Sequence, residues 1–376
     1  MKASVHRLPM SNPGDLSALA ALIAEGSVDP AHVVAVIGKT EGNGGVNDFT
    51  CGYFTLALMT LLGRALGLAP EECARRIPCV LSGGTEGVLS PHYLVFCREP
   101  AGLAGDEGGV GDGKALAIGV AFSPVTPAQV VGRAGHVLMV AGAVRAAMAD
   151  AGIDDPADVH FVQVKAPCVT TARAEAAVRA GHSVVTADAN KSMAFARAAG
   201  AFGVALALGE LDEAGLDERD LLSDFSIQSD RASISSGVEV DCNEVIVLGN
   251  SRAWSGDLRV AHRPMADALD LPAVRDVLAD LGIAADPQVV GGDVGRIAGV
   301  LVKCEPDRRG LIRGNRHTML DDTDINAQRH VRGALGGLVA GVMGDTRIFV
   351  SGGAEHQGPD GGGVITVIAR GKGELA

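Results

Sequence analysis

The sequence is short of aromatic side chains: nine phenylalanines, two tyrosines and one tryptophan in 376 residues. Large rings therefore contribute little to its interior. Nearly half of the chain (47%) is nonetheless apolar and 51 residues are glycine, so a sizeable core built from small residues is expected. Small side chains let helices lie close on sheets, and glycine suits tight turns. An excess of positive charge is also missing. The formal net charge is −13, which argues against nucleic acid and against an anionic membrane surface as partners. A small anionic ligand is not excluded, because a pocket can be basic inside an acidic protein.

Paired cysteines are absent as well. Cys51, Cys73, Cys79, Cys97, Cys168, Cys242 and Cys304 are dispersed, odd in number and contain no C-x-x-C. That pattern reads as a reduced, cytoplasmic protein and not as a disulfide scaffold. The ten histidines lack zinc-ligand spacing; His317 and His330 are the nearest downstream pair and have no cysteine partners. The N-terminal "MKASVHRLPMSNPGD" has no apolar segment of the kind a secretory signal carries. No apolar run reads as long enough to span a bilayer, so a soluble, cytoplasmic chain is expected. A phosphate-binding loop is missing too. In "VIGKTEGNGG" (36–45) a glycine is needed five residues before the Gly-Lys pair, and that position is Val33. The glycines follow Lys39, on the wrong side to wrap phosphates, which discounts a nucleotide-binding enzyme.

What is present is a threefold repeat. A β-branched strand ends in lysine three times: "VVAVIGK" at Lys39, "VHFVQVK" at Lys165 and "IAGVLVK" at Lys303. A helix of small and apolar residues ends in glycine three times: "CGYFTLALMTLLG", "RAAGAFGVALALG" and "RGALGGLVAGVMG". Counting back twelve from Gly63, Gly209 and Gly344 reaches Cys51, Arg197 and Arg332. A strand, a serine-glycine turn and a second strand then place Ser82, Ser235 and Ser351, each followed at plus four by a glutamate, Glu86, Glu239 and Glu355. The unit reads β–α–β(Lys)–α(Arg)–β(Ser)β. It predicts an α/β protein of three homologous units, 1–103, 112–250 and 256–376, around a pseudo-threefold axis. The joints are the glycine-rich 101–114 and "SRAWSG" at 251–256. Neither a doubly wound sheet nor a TIM barrel fits the adjacent strand pairs and long apolar helices.

Standing alone, a strand-end lysine is a solvated charge and a serine before Gly-Gly is a turn former. Three matched copies are different, because a repeated Lys, Arg and Ser is costly to bury without partners. Gathered at an axis they would line a small cationic pocket. A serine needs a base to attack, and a lysine can serve if burial and neighbouring positive charge depress its pKa. Turn N–H groups can hold an oxyanion, typically about 3 kcal/mol for each donor. Arginines suit the carbonyl or enolate oxygens of a planar ligand. Such a set suits a Ser-Lys amidase acting on a small, oxygen-rich ring.

The motifs "GKTEGNGGVNDF", "SGGTEGVLSPH", "VQVK", "SMAFAR", "GVALALGE", "VKCEP", "INAQRHVRGALGG" and "SGGAEHQGPDGGG" occur in order from about residue 5 to 370. Together they resemble the cyanuric acid hydrolase/barbiturase family of ring-opening amidohydrolases. The resemblance implies three β/α units around a pseudo-threefold axis, a homotetramer and an active site at the axis. It implies Lys165 as base and Ser235 as nucleophile. Lys39, Ser82, Gly83, Arg197, Ser236, Lys303, Arg332, Ser351 and Gly352 would bind the ring, with Cys51 at the remaining substrate position. It further implies a structural magnesium or calcium ion, held by Glu305 and by oxygens of Ala354, Gln357, Gly358, Pro359 and Gly362, a donor set suited to a hard cation. No organic cofactor is implied.

One residue departs from the pattern. The family has arginine where this chain has Cys51, and a thiol is shorter than a guanidinium and normally neutral. Cyanuric acid, opened to carboxybiuret and then biuret, presents three equivalent carbonyls that suit three arginines. The departure leaves open barbituric acid, opened to ureidomalonate, another cyclic imide, or a non-catalytic binder of a planar anionic ring.

Overall fold

The computed structural model describes residues 1–100 and 113–371. The first joint, 101–114, lies outside the described residues except for Gly113 and Lys114. The first sheet-forming segment comprises β1 (Lys2–Pro9), α1 (Ser17–Ala24), β2 (Val33–Thr40), α2 (Phe49–Leu66), α3 (Pro70–Ala74), β3 (Cys79–Gly83) and β4 (His92–Glu99). The second comprises β5 (Ala115–Val125), α4 (Ala134–Asp150), β6 (Val159–Pro167), α5 (Thr171–Arg179), α6 (Ala189–Leu208), β7 (Ala232–Gly237) and β8 (Cys242–Ser251). The third comprises β9 (Leu258–Met265), α7 (Leu271–Asp280), α8 (Gly292–Arg296) and β10 (Ile297–Cys304). It continues through a small hairpin of β11 (Leu311–Ile312) and β12 (Asn315–Arg316) to α9 (Ala327–Met343), β13 (Phe349–Ser351) and β14 (Gly363–Arg370).

Among the described residues the three large sheets share one strand order: β1-β4-β2-β3, β5-β8-β6-β7 and β9-β14-β10-β13. In each, the lysine strand runs parallel to the serine strand and antiparallel to the last strand. A parallel pair needs a long crossover, and α2, α6 and α9 supply it. The two strands flanking each serine turn, which the sequence suggests as neighbours, therefore lie on opposite sides of the lysine strand. Even an irregularity is triplicated: the pairing shifts between Val33 and Ala35, Val159 and Phe161, and Ile297 and Gly299.

Strand alternation divides the interior into layers. Ala35 and Ile37 face a central core shared with Val164, Ile234, Leu301, Phe349 and Ile368 from the other two sheets. Val36 and Leu81 face outward and pack under Phe54, Leu58 and Leu62 of α2. The lysine strands are covered on both faces, which is why they read as unbroken apolar runs. Trp254, in the second joint, is buried, and its indole Nε1–H donates to Ala151 O at 2.7 Å. The segment "SRAWSG" is thus a packed corner.

Three local expectations need correction. Helix α2 runs one turn beyond Gly63 to Leu66 and is capped by Gly67 in the left-handed region, as Gly209 and Gly344 cap α6 and α9; Gly63 stays helical because the apolar face continues to Leu62 and Leu66. Arg197 lies well inside α6 and not in its first turn, because that helix starts early at the Asp188 cap. Lastly, α2 and α6 are each long and apolar enough to cross a bilayer by length and composition. Most of α6 is packed inside the protein, whereas α2 exposes Phe49, Tyr53 and Leu56 along one stripe.

Candidate active site

Strand pairing places each lysine directly beside its serine: Lys39 opposite Ser82, Lys165 opposite Ser235 and Lys303 opposite Ser351. The three serine strands meet at the centre of the molecule and line one cavity. The first unit contributes Cys51, Ser82 and Gly83, the second Lys165, Arg197, Ser235 and Ser236, and the third Arg332, Ser351 and Gly352. Lys39 and Lys303 stand behind this wall, fully buried. The glycine-rich segment after Lys39 forms another wall through Gly44, Gly45 and Val46. Asp48 holds that segment: its carboxylate accepts from Gly44 N at 2.7 Å and caps α2 through Thr50 N at 3.0 Å.

Two of the lysines behave alike. Lys39 Nζ donates to Ser82 Oγ at 3.1 Å and to Gly83 O at 3.2 Å. Lys303 Nζ donates to Ser351 Oγ at 3.1 Å, to Gly352 O at 2.9 Å and, across the axis, to Ile234 O at 2.6 Å. Burial, then the nearby Arg332 guanidinium, pushes Lys39 well below the ordinary lysine value. Burial, then Arg197, lowers Lys303 to about 7.

Lys165 differs. Its Nζ lies 2.6 Å from Glu239 Oε1. Burial alone would lower its pKa, but Glu239, supported by Glu244, raises it above the ordinary lysine value. The depressed pKa expected for the base is therefore found at Lys39 and Lys303 and not at Lys165. The hydroxyls of Ser235 and its neighbour Ser236 are buried and make no hydrogen bond.

The arginines are held across unit boundaries. Arg197 forks onto Glu355 (Nε–Oε2 2.7 Å, Nη2–Oε1 2.6 Å), and Arg332 forks onto Glu86 (2.9 and 2.6 Å). Gly84 and Gly353 make room for these forks. Both have positive φ, and a Cβ on either would run into the Arg332 or the Arg197 guanidinium. The three glutamates after the serines are thus functional residues that sequence reasoning used only to fix the repeat register; their recurrence at plus four was the available signal.

Residues 353–363 fold behind the third serine turn. Glu305, at the end of β10, accepts from Ala354 N at 2.6 Å and from Gln328 Nε2 at 3.0 Å. Burial, then the nearby Glu355, raises its pKa to about 7. Gln357 points inward and its Oε1 accepts from Ile234 N at 2.6 Å, beside Ser235. Ala354 O, Pro359 O and Gly362 O close the turn by accepting from Gln357 N, Gly362 N and Glu305 N. Among the described residues no cluster of three or more His, Cys, Asp or Glu side chains is arranged to hold a metal.

The fold and the cavity agree with comparisons to known proteins. Residues 4–370 match the family described as amidohydrolase ring-opening protein. The chain belongs to the ring-opening amidohydrolases. Relatives in this family include the cyanuric acid amidohydrolase of Azorhizobium caulinodans, 50% identical over 368 residues that cover 98% of both chains. That of Enterobacter cloacae is 46% identical over 370 residues, covering 98% of this chain and all of the relative. A solved cyanuric acid hydrolase superposes with a TM-score of 0.93 at 46% identity, covering 98% of this chain and 99% of its own. The Azorhizobium caulinodans hydrolase gives 0.89 at 48% identity, covering 99% of both. The mixed α/β architecture of three like sheets is that of this ring-opening amidohydrolase family.

Proposed function

We propose that this ring-opening amidohydrolase acts on cyanuric acid. Ser235 Oγ attacks a ring carbonyl carbon and Lys165, in the neutral form it takes once its proton and the Glu239 contact are given up, accepts the serine proton. The ring C–N bond breaks, the departing nitrogen receives that proton, and water hydrolyses the resulting acyl-serine. The product is carboxybiuret, which loses carbon dioxide to give biuret. The observation that carries this reading is the unpartnered, buried Ser235 hydroxyl facing a cavity that also presents Arg197 and Arg332. The names of the close relatives support the same substrate. The test is turnover of cyanuric acid by the wild type and by Ser235→Ala. A wild type that binds cyanuric acid without opening it would favour a non-catalytic ring binder.

Barbituric acid, opened to ureidomalonate, is the second reading. It is favoured by Cys51: the three equivalent carbonyls of cyanuric acid suit three like guanidiniums, the cavity presents two, and the three carbonyls of barbituric acid are not equivalent. Comparing kcat/KM for the two rings decides between them.

We also propose that Glu305 and the 354–362 turn hold a structural magnesium or calcium ion. The fit lies in kind: a buried carboxylate whose pKa is pushed up by burial and by Glu355, with Arg308 at 3.8 Å opposing the rise, and a tight turn rich in main-chain oxygens. When bound, the ion would supply charge compensation and fix the turn that carries Gln357 to Ile234. Assembly with further copies, to a homotetramer, is supported by the exposed Phe49, Tyr53 and Leu56 stripe of α2. A reducing, cytoplasmic setting is supported by seven unpaired cysteines.

A further inference from the structure

The arginine–glutamate forks follow a cyclic rule. The guanidinium of the second unit binds the glutamate of the third (Arg197–Glu355), and that of the third binds the glutamate of the first (Arg332–Glu86). The rule assigns Glu239 of the second unit to the first unit's guanidinium, and the first unit has Cys51. Burial raises the Cys51 thiol above its ordinary value, so it supplies no charge. Glu239 has turned to Lys165 at 2.6 Å instead. The same unit shows the second departure: Lys39 and Lys303 each donate to their serine, whereas Ser235 Oγ is left without a partner. Both departures fall at one of three equivalent positions, the one at which Cys51 stands in place of a guanidinium.

We propose that Glu239 governs Lys165 in this chain, and that the cavity lined by Cys51 and Glu239 accepts a small planar cation, a guanidinium or amidinium, whose binding releases Lys165 to Ser235. The inference rests on the reading of Ser235 and Lys165 given above. A planar cation matches a carboxylate through two parallel N–H···O bonds, as the other two arginines do here. Cys51 and Glu239 both line the cavity that holds Ser235, so such a cation enters by the same mouth as the ring. The groups that act on Lys165 are Glu239 from the turn after β7, Glu244 from β8, and the thiols of Cys51, Cys79 and Cys168. Of these only Glu239 touches the ammonium and lies where a guanidinium would compete for it. Glu239 is a positioning residue: it acts on the reaction through Lys165.

The experiment is a pH profile of kcat/KM for ring opening by the wild type, Glu239→Gln and Cys51→Arg. Each is measured with low-millimolar guanidinium chloride or with sodium chloride of equal strength. Guanidinium should saturably raise the wild-type rate and move its acid limb down by about one pH unit, which raises the neutral lysine fraction about tenfold below that limb. Glu239→Gln and Cys51→Arg should show the lowered limb already and not respond to guanidinium. A limb at the same pH in wild type and Glu239→Gln, or a guanidinium effect no greater than that of sodium, overturns the proposal. If none of the three proteins opens any ring, the functional reading fails, and the Lys165 titration decides the inference alone. It is followed by NMR of ε-labelled lysine, with Lys165→Arg to assign the signal. A lower Lys165 pKa in Glu239→Gln supports the proposal, and an unchanged one overturns it.

Discussion

Arg332 of the third unit grips Glu86 of the first through two parallel hydrogen bonds, Nε to Oε2 at 2.9 Å and Nη2 to Oε1 at 2.6 Å. Both side chains are at least nine-tenths buried, and Arg329 adds a third contact at 3.1 Å. Removing one partner of such a pair leaves an uncompensated buried charge. Glu86→Gln should therefore lower unfolding stability by about 3 kcal/mol at neutral pH. Burial opposes the Glu86 carboxylate, but Arg332 outweighs it and sets its pKa below the ordinary glutamate value. The contribution is thus fully present above that ordinary value and is lost as pH falls through the lowered one. Denaturant melts of both proteins across acid pH should converge; a gap that stays constant would show that the pair is not the cause.

The identity of the nucleophile is open to a direct comparison. Ser235 is unpartnered, while Ser82 and Ser351 already accept from lysines of depressed pKa. Under the proposed mechanism Ser235→Ala should abolish turnover, a loss of about 10⁴-fold or more. Ser82→Ala and Ser351→Ala should raise KM more than they lower kcat, because those hydroxyls orient the ring. If Ser82→Ala or Ser351→Ala is the dead variant, and Ser235→Ala retains turnover, the dyad is one of the other two.

Much of this arrangement is legible in the sequence, and the reason is local. A lysine at a strand end and a serine at a neighbouring parallel strand end fall opposite each other whenever the strands start in step, so Lys39 and Ser82 meet without any tertiary knowledge. The partners of the arginines are not legible, because every fork joins two units. Nothing along the chain says that Arg197 meets Glu355, 158 residues away, or that Arg332 meets Glu86, 246 away. The Lys165–Glu239 contact lies within the second unit, yet it has no counterpart at the other two lysines from which the repeat could announce it. A helix end is not legible where an apolar face continues past a glycine, as at Gly63.

The thiol at position 51 sets an expectation for rate. An arginine there would face Glu239 as Arg197 faces Glu355, and would add a third guanidinium to the cavity. Cys51→Arg should raise kcat/KM for cyanuric acid by about tenfold, the equivalent of one charge-assisted hydrogen bond of about 1.4 kcal/mol. The gain for barbituric acid, which has a carbon in place of one ring nitrogen, should be smaller. An unchanged or lower constant for cyanuric acid would show that Cys51 is not the weak point of the site.

The metal proposal links stability to catalysis through one chain of contacts. Gln357, in the turn of residues 354–362, accepts a hydrogen bond from Ile234 N, and Ser235 is the next residue. Loss of a cation from Glu305 and this turn should loosen that link. A chelator should lower the melting temperature of the wild type, and magnesium or calcium should restore it. The ligand stabilises by mass action, about 2.7 kcal/mol at a hundredfold excess over its dissociation constant. Glu305→Gln removes the only carboxylate proposed to hold the ion and should make the melting temperature indifferent to chelator and metal alike. Because Ser235 is reached through Gln357, kcat should fall in the chelated wild type while KM changes little. A wild type whose melting temperature ignores both chelator and added cation would refute the site.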